Sequence, residues 1–423
     1  MGISGKVEFF RRIYRDWVKK VKDILIIAHF TQVPGEVGNG RFNYIAEKID
    51  KQKANVEIVT TNFSHRTKKQ RNVTNEQKQS ISYKLTMLKE PGYTKNVSFK
   101  RFYSHYVMGR NLRKYLSNRK KPDVIYCAVP SLDVAKTAAK YAKKHNVRFI
   151  IDVQDLWPEA FKMVFNVPVI RDIIFYPMKR KADYIYSTAD EIVAVSQTYA
   201  DRALKANNKG IGALGIYLGT ELAYFDNLAE QNKLTDKPNN EMWLVYIGTL
   251  GHSYDICSVI DALKIVKDKG INNIKFVVMG DGPHKSKFEA YAKQLEVNAV
   301  FTGRLGYDKM VGILKSCDIA VNPINQGSAG SIINKVGDYA AAGLPVLNTQ
   351  ESNEYKELVE GYRAGFNCIN GCALDLSEKL IALINDEKLK REMGKNNRKL
   401  AETLFDREKT YNKISNLMGE ELS

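Results

Sequence analysis

"DIAVNPINQGSAGSIINKVGDYAAAGLPVL", residues 318–347, decides how this chain is read. An apolar run ends at Asn322-Pro323 and gives way to a loop of small residues: Gly327, Ser328, Ala329, Gly330 and Ser331. A helical pattern follows and stops at Gly343-Leu344-Pro345, where glycine and proline cannot continue it. A second apolar run starts at Val346. Strand, loop, helix and strand are the repeating unit of a parallel α/β sheet. A small-residue loop opening a helix also offers free N–H groups to an anion. Asp338 is the lone carboxylate in mid-helix, and Lys335 lies one turn before it.

The same alternation extends in both directions. Apolar runs stand at 23–28, 56–61, 123–128, 148–153 and 191–196, and again at 243–248, 274–280, 318–323 and 345–348. Continuous Val- and Ile-rich runs separated by helical patterns mean parallel sheets covered on both faces. At 423 residues the chain exceeds what one core usually supports. The sequence therefore predicts two doubly wound, Rossmann-like domains facing each other across a cleft, at 23–215 and 216–399. Residues 1–22 stand apart as a basic amphipathic helix, with Phe10, Ile13, Tyr14, Trp17 and Val21 on one face and Arg11, Arg12, Arg15, Lys19 and Lys22 on the other. Such a helix suits an anionic membrane surface.

Charge is segregated along the chain. The first 120 residues carry 26 Lys and Arg against 9 Asp and Glu, so +17 of the total of +18 lies there. This field attracts an anionic surface or substrate to one end of the molecule. No recognisable nucleic-acid module accompanies it, which argues against nucleic acid as the partner. The cysteines at 127, 257, 317, 368 and 372 lack the paired spacing of a zinc site. No apolar run approaches a membrane span and no signal-peptide core is present, so the expected location is cytoplasmic.

Further loops follow the other apolar runs. "HFTQVPGEVGNGRF" (29–42) offers Gly38, Gly40 and Arg41 as a phosphate or acceptor loop, without the G-x-G-x-x-G spacing of a dinucleotide site. "QDLWPEA" (154–160) places Gln154, Asp155 and Glu159 at a sheet edge, to orient a substrate hydroxyl or to cap the next helix. Gly248 and Thr249, Gly280, and Gly303-Arg304 end three runs of the second half. With 327–331 they make four small-residue loops at one sheet edge.

In this order and spacing, "GTLGHSYD", "GDGP", "FTGRL", "CDIAVNPI" and "NKVGDYAAAGLPVL" resemble the donor domain of the family-4 retaining glycosyltransferases of GT-B architecture. "GEVGNGRF", "IYLGTELAYF" (216–225) and "DVQDLWPEA" extend the resemblance, the last to the branch that builds capsule and O-antigen repeats. It covers residues from about 23 to the end. The resemblance implies a nucleotide-sugar, expected to be a UDP-sugar, in the second domain and a lipid pyrophosphate-linked saccharide acceptor in the first. It implies no cofactor and no bound metal, and the sequence has no D-x-D motif. It also implies that a helix at about 400–418 crosses back onto the first domain. Attachment to the inner face of the cell membrane, and a homo- or hetero-oligomer, are further expectations.

By position, Asp338 matches the family's second glutamate, which accepts from ribose hydroxyls, and Gly330 stands where the first glutamate would be. Thr249 replaces the usual Arg, which leaves Lys335 and Arg304 as countercharges for the diphosphate cradle 327–331. Gln154 replaces a common histidine, so Asp155 takes the acceptor-orienting role, with His29 and His65 as alternatives. The departures keep two other readings open: a catalytically silent partner of another transferase, and a nucleotide-sugar 2-epimerase.

Overall fold

The computed structural model describes residues 21–419, apart from 37, 39, 97, 163–167, 236, 329 and 330. The expected helix at 1–22 lies almost wholly outside the described residues, as do Ala329 and Gly330 of the cradle. The first sheet contains β1 (Lys22–Ile27), β2 (Ala54–Thr61), β3 (Lys84–Leu88), β4 (Val124–Val129), β5 (Arg148–Val153), β6 (Glu191–Ala194) and β7 (Ala213–Gly215). Its order is β3-β2-β1-β4-β5-β6-β7, all parallel. The second contains β8 (Met242–Ile247), β9 (Ile274–Met279), β10 (Ala299–Gly303), β11 (Ile319–Asn322), β12 (Val346–Asn348) and β13 (Gly365–Asn367). Its order is β10-β9-β8-β11-β12-β13, also parallel.

Successive residues of a strand point to opposite faces, and here both faces find a core. Leu25 and Ile27 of β1 pack into one cluster, while Ile24 and Ile26 pack into another. Val245 and Ile247 of β8 divide from Leu244 and Tyr246 in the same way. This accounts for the unbroken apolar runs that the sequence shows. Strands β3, β7 and β13, which no run announced, are sheet edges with only partly buried side chains, so they need no continuous apolar sequence.

The helices that bear on function are α1 (Arg41–Lys48), α2 (Phe99–Asn118), α3 (Leu132–His145), α4 (Pro168–Thr188), α5 (Gln197–Leu204), α6 (Lys335–Ala342), α7 (Glu387–Leu400) and α8 (Asn412–Gly419). A π-type turn at Ala401–Phe405 follows α7. Beyond it, Tyr411, Ile414 and Met418 bury themselves with Ile24 and Ile26 of the first sheet. The last segment thus leaves the second core and completes the first.

Each strand order reverses once, between β1 and β4 and between β8 and β11. Ligands of doubly wound sheets bind outside the carboxyl ends of strands at such a reversal. Glu354, after β12, ties the two domains together. Its carboxylate accepts from the Gln197 and Thr198 amides at 2.7 and 3.0 Å, at the start of α5, and from the Tyr217 hydroxyl at 2.8 Å.

Candidate active site

In the second domain the loops after β8, β9, β10 and β11 share the carboxyl edge, because every strand of the sheet is parallel. Gly248 and Gly280 lie so close that a Cβ on Gly280 would stand 1.8 Å from the Gly248 carbonyl oxygen. Gly248 has φ +135°, a conformation that suits glycine alone, and a Cβ there would meet Lys335 Nζ at 2.9 Å. Lys335 therefore lies directly beneath the loop. Its ammonium sits 3.9 Å from the ring centres of both Tyr246 and Tyr254. It is 9% exposed and its Nζ has no hydrogen-bond partner. Burial pulls its pKa well below the usual lysine value. A buried cation without a partner is costly unless something anionic completes it.

One turn on, Asp338 accepts from the Thr220 hydroxyl at 3.0 Å and the Tyr307 hydroxyl at 2.9 Å. Burial raises its pKa, and the two hydroxyls oppose that rise. Thr249 is exposed, and its carbonyl accepts from the Tyr246 hydroxyl at 2.7 Å. Arg304 is exposed at the end of β10. Gly327 has φ +68°, and its amide donates to Glu351 Oε2 at 3.3 Å. The Ser328 amide donates to the Asn325 carbonyl at 3.0 Å, and the Ser331 carbonyl accepts from Gln350 at 2.6 Å. Gly280→Ala is expected to destabilise the protein by about 1–3 kcal/mol, since the added methyl must displace backbone. Thermal unfolding with and without UDP would show the loss, together with weakened ligand protection.

The first domain corrects one expectation. Arg41 is no phosphate ligand: it is buried in a two-point ion pair with Asp152, Nε–Oδ2 2.7 Å and Nη2–Oδ1 3.2 Å. Its Nη1 donates to the Ile216 carbonyl at 3.0 Å. The reason is topological: α1 starts beside the end of β5, where Asp152 is 0% exposed and needs a countercharge. Gln154 Nε2 donates one of its two hydrogens to Asp152 Oδ1 at 2.7 Å, which turns the amide toward the buried pair. Gly38 packs against Gln32, and Gly40 starts α1 with its amide donating to Gln32 Oε1 at 3.1 Å.

Asp155 is half-buried just beyond the carboxyl end of β5. It accepts from the Trp157 indole at 3.0 Å and has the Tyr199 phenol beside it, and burial raises its pKa. The same phenol lies close enough to Ser331 of the opposite domain to feel it electrostatically. Burial, with Asp155 beside it, pushes the Tyr199 phenol up to about 12. Tyr199, at the start of α5, thus stands between Asp155 and Ser331. Glu159 pairs with Arg202 at 2.6 Å.

The two histidine alternatives belong to one neighbouring cluster. His29 is 1% exposed, with Nε2 3.0 Å from Glu90 and Nδ1 2.9 Å from Ser131, across the β1–β4 reversal. His65 lies beside the Tyr93 hydroxyl, and burial with the cations Lys68 and Arg101 lowers its pKa to about 4. Arg101 stacks 4.7 Å from the Trp157 ring, and its buried Nε has no partner. The sequence reading missed Tyr199, Tyr246, Tyr254, Arg101 and Asp152. Only Asp152 had a signal, a carboxylate inside an apolar strand.

Residues 229–400 match the family model described as "Glycosyl transferases group 1". An uncharacterized glycosyltransferase of Methanocaldococcus jannaschii is 24% identical over 54% of this chain, a match that spans 59% of the relative's own length. The capsular polysaccharide biosynthesis glycosyltransferase CapM of Staphylococcus aureus is 23% identical over 71% of this chain and 78% of its own. Among solved structures, HepE of Anabaena in complex with UDP and glucose superposes with a TM-score of 0.66. It is 14% identical, over 94% of this chain and 99% of HepE. The fold is therefore GT-B, and its second half carries a group 1 glycosyl transferase domain.

Proposed function

We propose that this protein is a retaining glycosyltransferase of the family-4 type, moving a sugar from a UDP-sugar to a lipid-linked saccharide in surface polysaccharide synthesis. The observation that carries this reading is the buried, partnerless ammonium of Lys335 beneath the Gly248 loop, at the β8–β11 reversal. A diphosphate over that loop supplies the missing negative charge, without a bound metal. Asp338, on the next turn of α6, accepts from the ribose hydroxyls in place of Thr220 and Tyr307. HepE, a neighbour in fold, is seen with UDP, and CapM is named for capsule synthesis.

Asp155 is the acceptor-orienting group. Its raised pKa and its place at the carboxyl edge of the first sheet suit a carboxylate that holds a sugar hydroxyl. In a front-face transfer the leaving diphosphate takes the acceptor proton, and Lys335 and the loop amides stabilise the charge that develops on that leaving group.

Calorimetric titration with UDP tests the donor half. Asp338→Ala is expected to weaken UDP roughly 10-fold or more, the value of hydrogen bonds to a charged group. Unchanged affinity would remove Asp338 from the site. Acceptor-dependent release of UDP tests the whole reaction. There Asp155→Ala is expected to lower kcat by roughly 100-fold and leave UDP binding unchanged.

A further inference from the structure

Six of the thirteen large apolar side chains exposed among the described residues lie on two helices of the first domain. Phe99 is 94% exposed at the start of α2, and Tyr103 and Tyr106 follow at helical spacing. Ile173, Ile174 and Tyr176 are exposed on α4. Between them lies a pocket of about 470 Å³ lined by Phe102, Tyr103, Tyr106, Ile174 and Met178, with Trp157 as one wall. Further along α2 the same stripe becomes basic. Arg110, Arg113 and Lys114 face Lys140 and Lys144 of α3 across a groove of about 610 Å³ that no carboxylate lines. Helix α2 has no acidic residue at all, and Asp133 beside the pocket is neutralised by Lys181 at 2.7 Å.

We propose that this face of α2, α3 and α4 docks on an anionic lipid bilayer. The inference rests on the reading that the acceptor is held in a membrane. Aromatic rings and isoleucines enter the headgroup–acyl boundary, while the adjoining cations meet the anionic headgroups. Charge complementarity selects the occupant: an apolar patch continuous with a stripe of unpaired cations matches a surface whose apolar and anionic layers adjoin. Trp157 joins this face to the reaction, because the indole that walls the pocket also holds Asp155 at 3.0 Å. A saccharide on a lipid anchored here reaches Asp155 without leaving the bilayer.

The test is flotation of the full chain with phosphatidylcholine vesicles, with and without phosphatidylglycerol. Two variants accompany it: Phe99→Ser with Tyr103→Ser and Tyr106→Ser, and Arg110→Glu with Arg113→Glu and Lys114→Glu. Retained UDP binding shows that both are folded. Wild type is expected to float with phosphatidylglycerol vesicles, and the charge reversal to weaken binding roughly 100-fold. Vesicles should slow amide exchange in α2 and in the part of α4 around residues 172–181. If wild type floats and both variants float equally well, this face is not the docking surface, although membrane association stands. If wild type floats with neither vesicle, the membrane reading itself fails.

Discussion

Lys335→Met is expected to make the protein more stable and nearly unable to hold UDP. Methionine keeps the volume and apolar stem of the lysine but removes an ammonium that is buried between two tyrosine rings and has no hydrogen-bond partner. Replacing buried ionisable groups by well-packed apolar ones is often neutral or stabilising, by up to about 4 kcal/mol. The same change removes the cation under the Gly248 loop, with an expected fall in UDP affinity of roughly 10- to 150-fold. Opposite signs in stability and binding are what distinguish a ligand-completing charge from a structural one. Thermal unfolding and calorimetry on the two proteins measure both.

The pH dependence has a definite sign. The Lys335 pKa in the folded protein lies well below its unfolded value, so the unfolded chain binds more protons between the two. Wild-type stability therefore rises with pH through that window, and the Met variant should lack this rise. A diphosphate restores the charged form, so binding takes up a proton. Above about pH 7, where the diphosphate's own ionisation is complete, UDP affinity should fall as pH rises. The apparent binding enthalpy should depend on the buffer, and both effects should vanish in Lys335→Met.

Arg41→Met should be among the most destabilising single substitutions in the first domain. It leaves Asp152 buried with only the Tyr126 hydroxyl at 2.6 Å and the Gln154 amide at 2.7 Å as donors. Breaking a buried pair from one side costs about 3–5 kcal/mol. Asp152→Leu should cost a similar amount, and the double variant much less than the sum, because the orphaned charge is then gone. Urea unfolding of the four proteins gives the coupling. Additive losses would mean that the pair does not act as one unit. Arg41 also holds the Ile216 carbonyl at the crossover, so the loss should be felt where the chain passes between domains.

These residues mark the limit of sequence reading. Both sheets were legible because buried parallel strands demand unbroken apolar runs, and the loops at their carboxyl ends followed from strand direction alone. Position within "NKVGDYAAAGLPV" singled out Lys335 and Asp338 for the same reason: helix spacing places them one turn apart whatever surrounds them. Nothing local could separate Arg41 the ligand from Arg41 the partner of Asp152, since 111 residues intervene between them. Nor could the sequence place Tyr246 and Tyr254 around Lys335, or set Tyr199 between Asp155 and Ser331. The stripe on α2 was hidden too, because aromatic residues at helical spacing read as core until burial shows Phe99 in the open. The sequence by itself determined the two sheets and the edge where chemistry belongs, through periodicities that act over a few residues. The tertiary structure alone decided which charges are satisfied and which are left for a ligand, because partners and burial come from segments brought together only by folding.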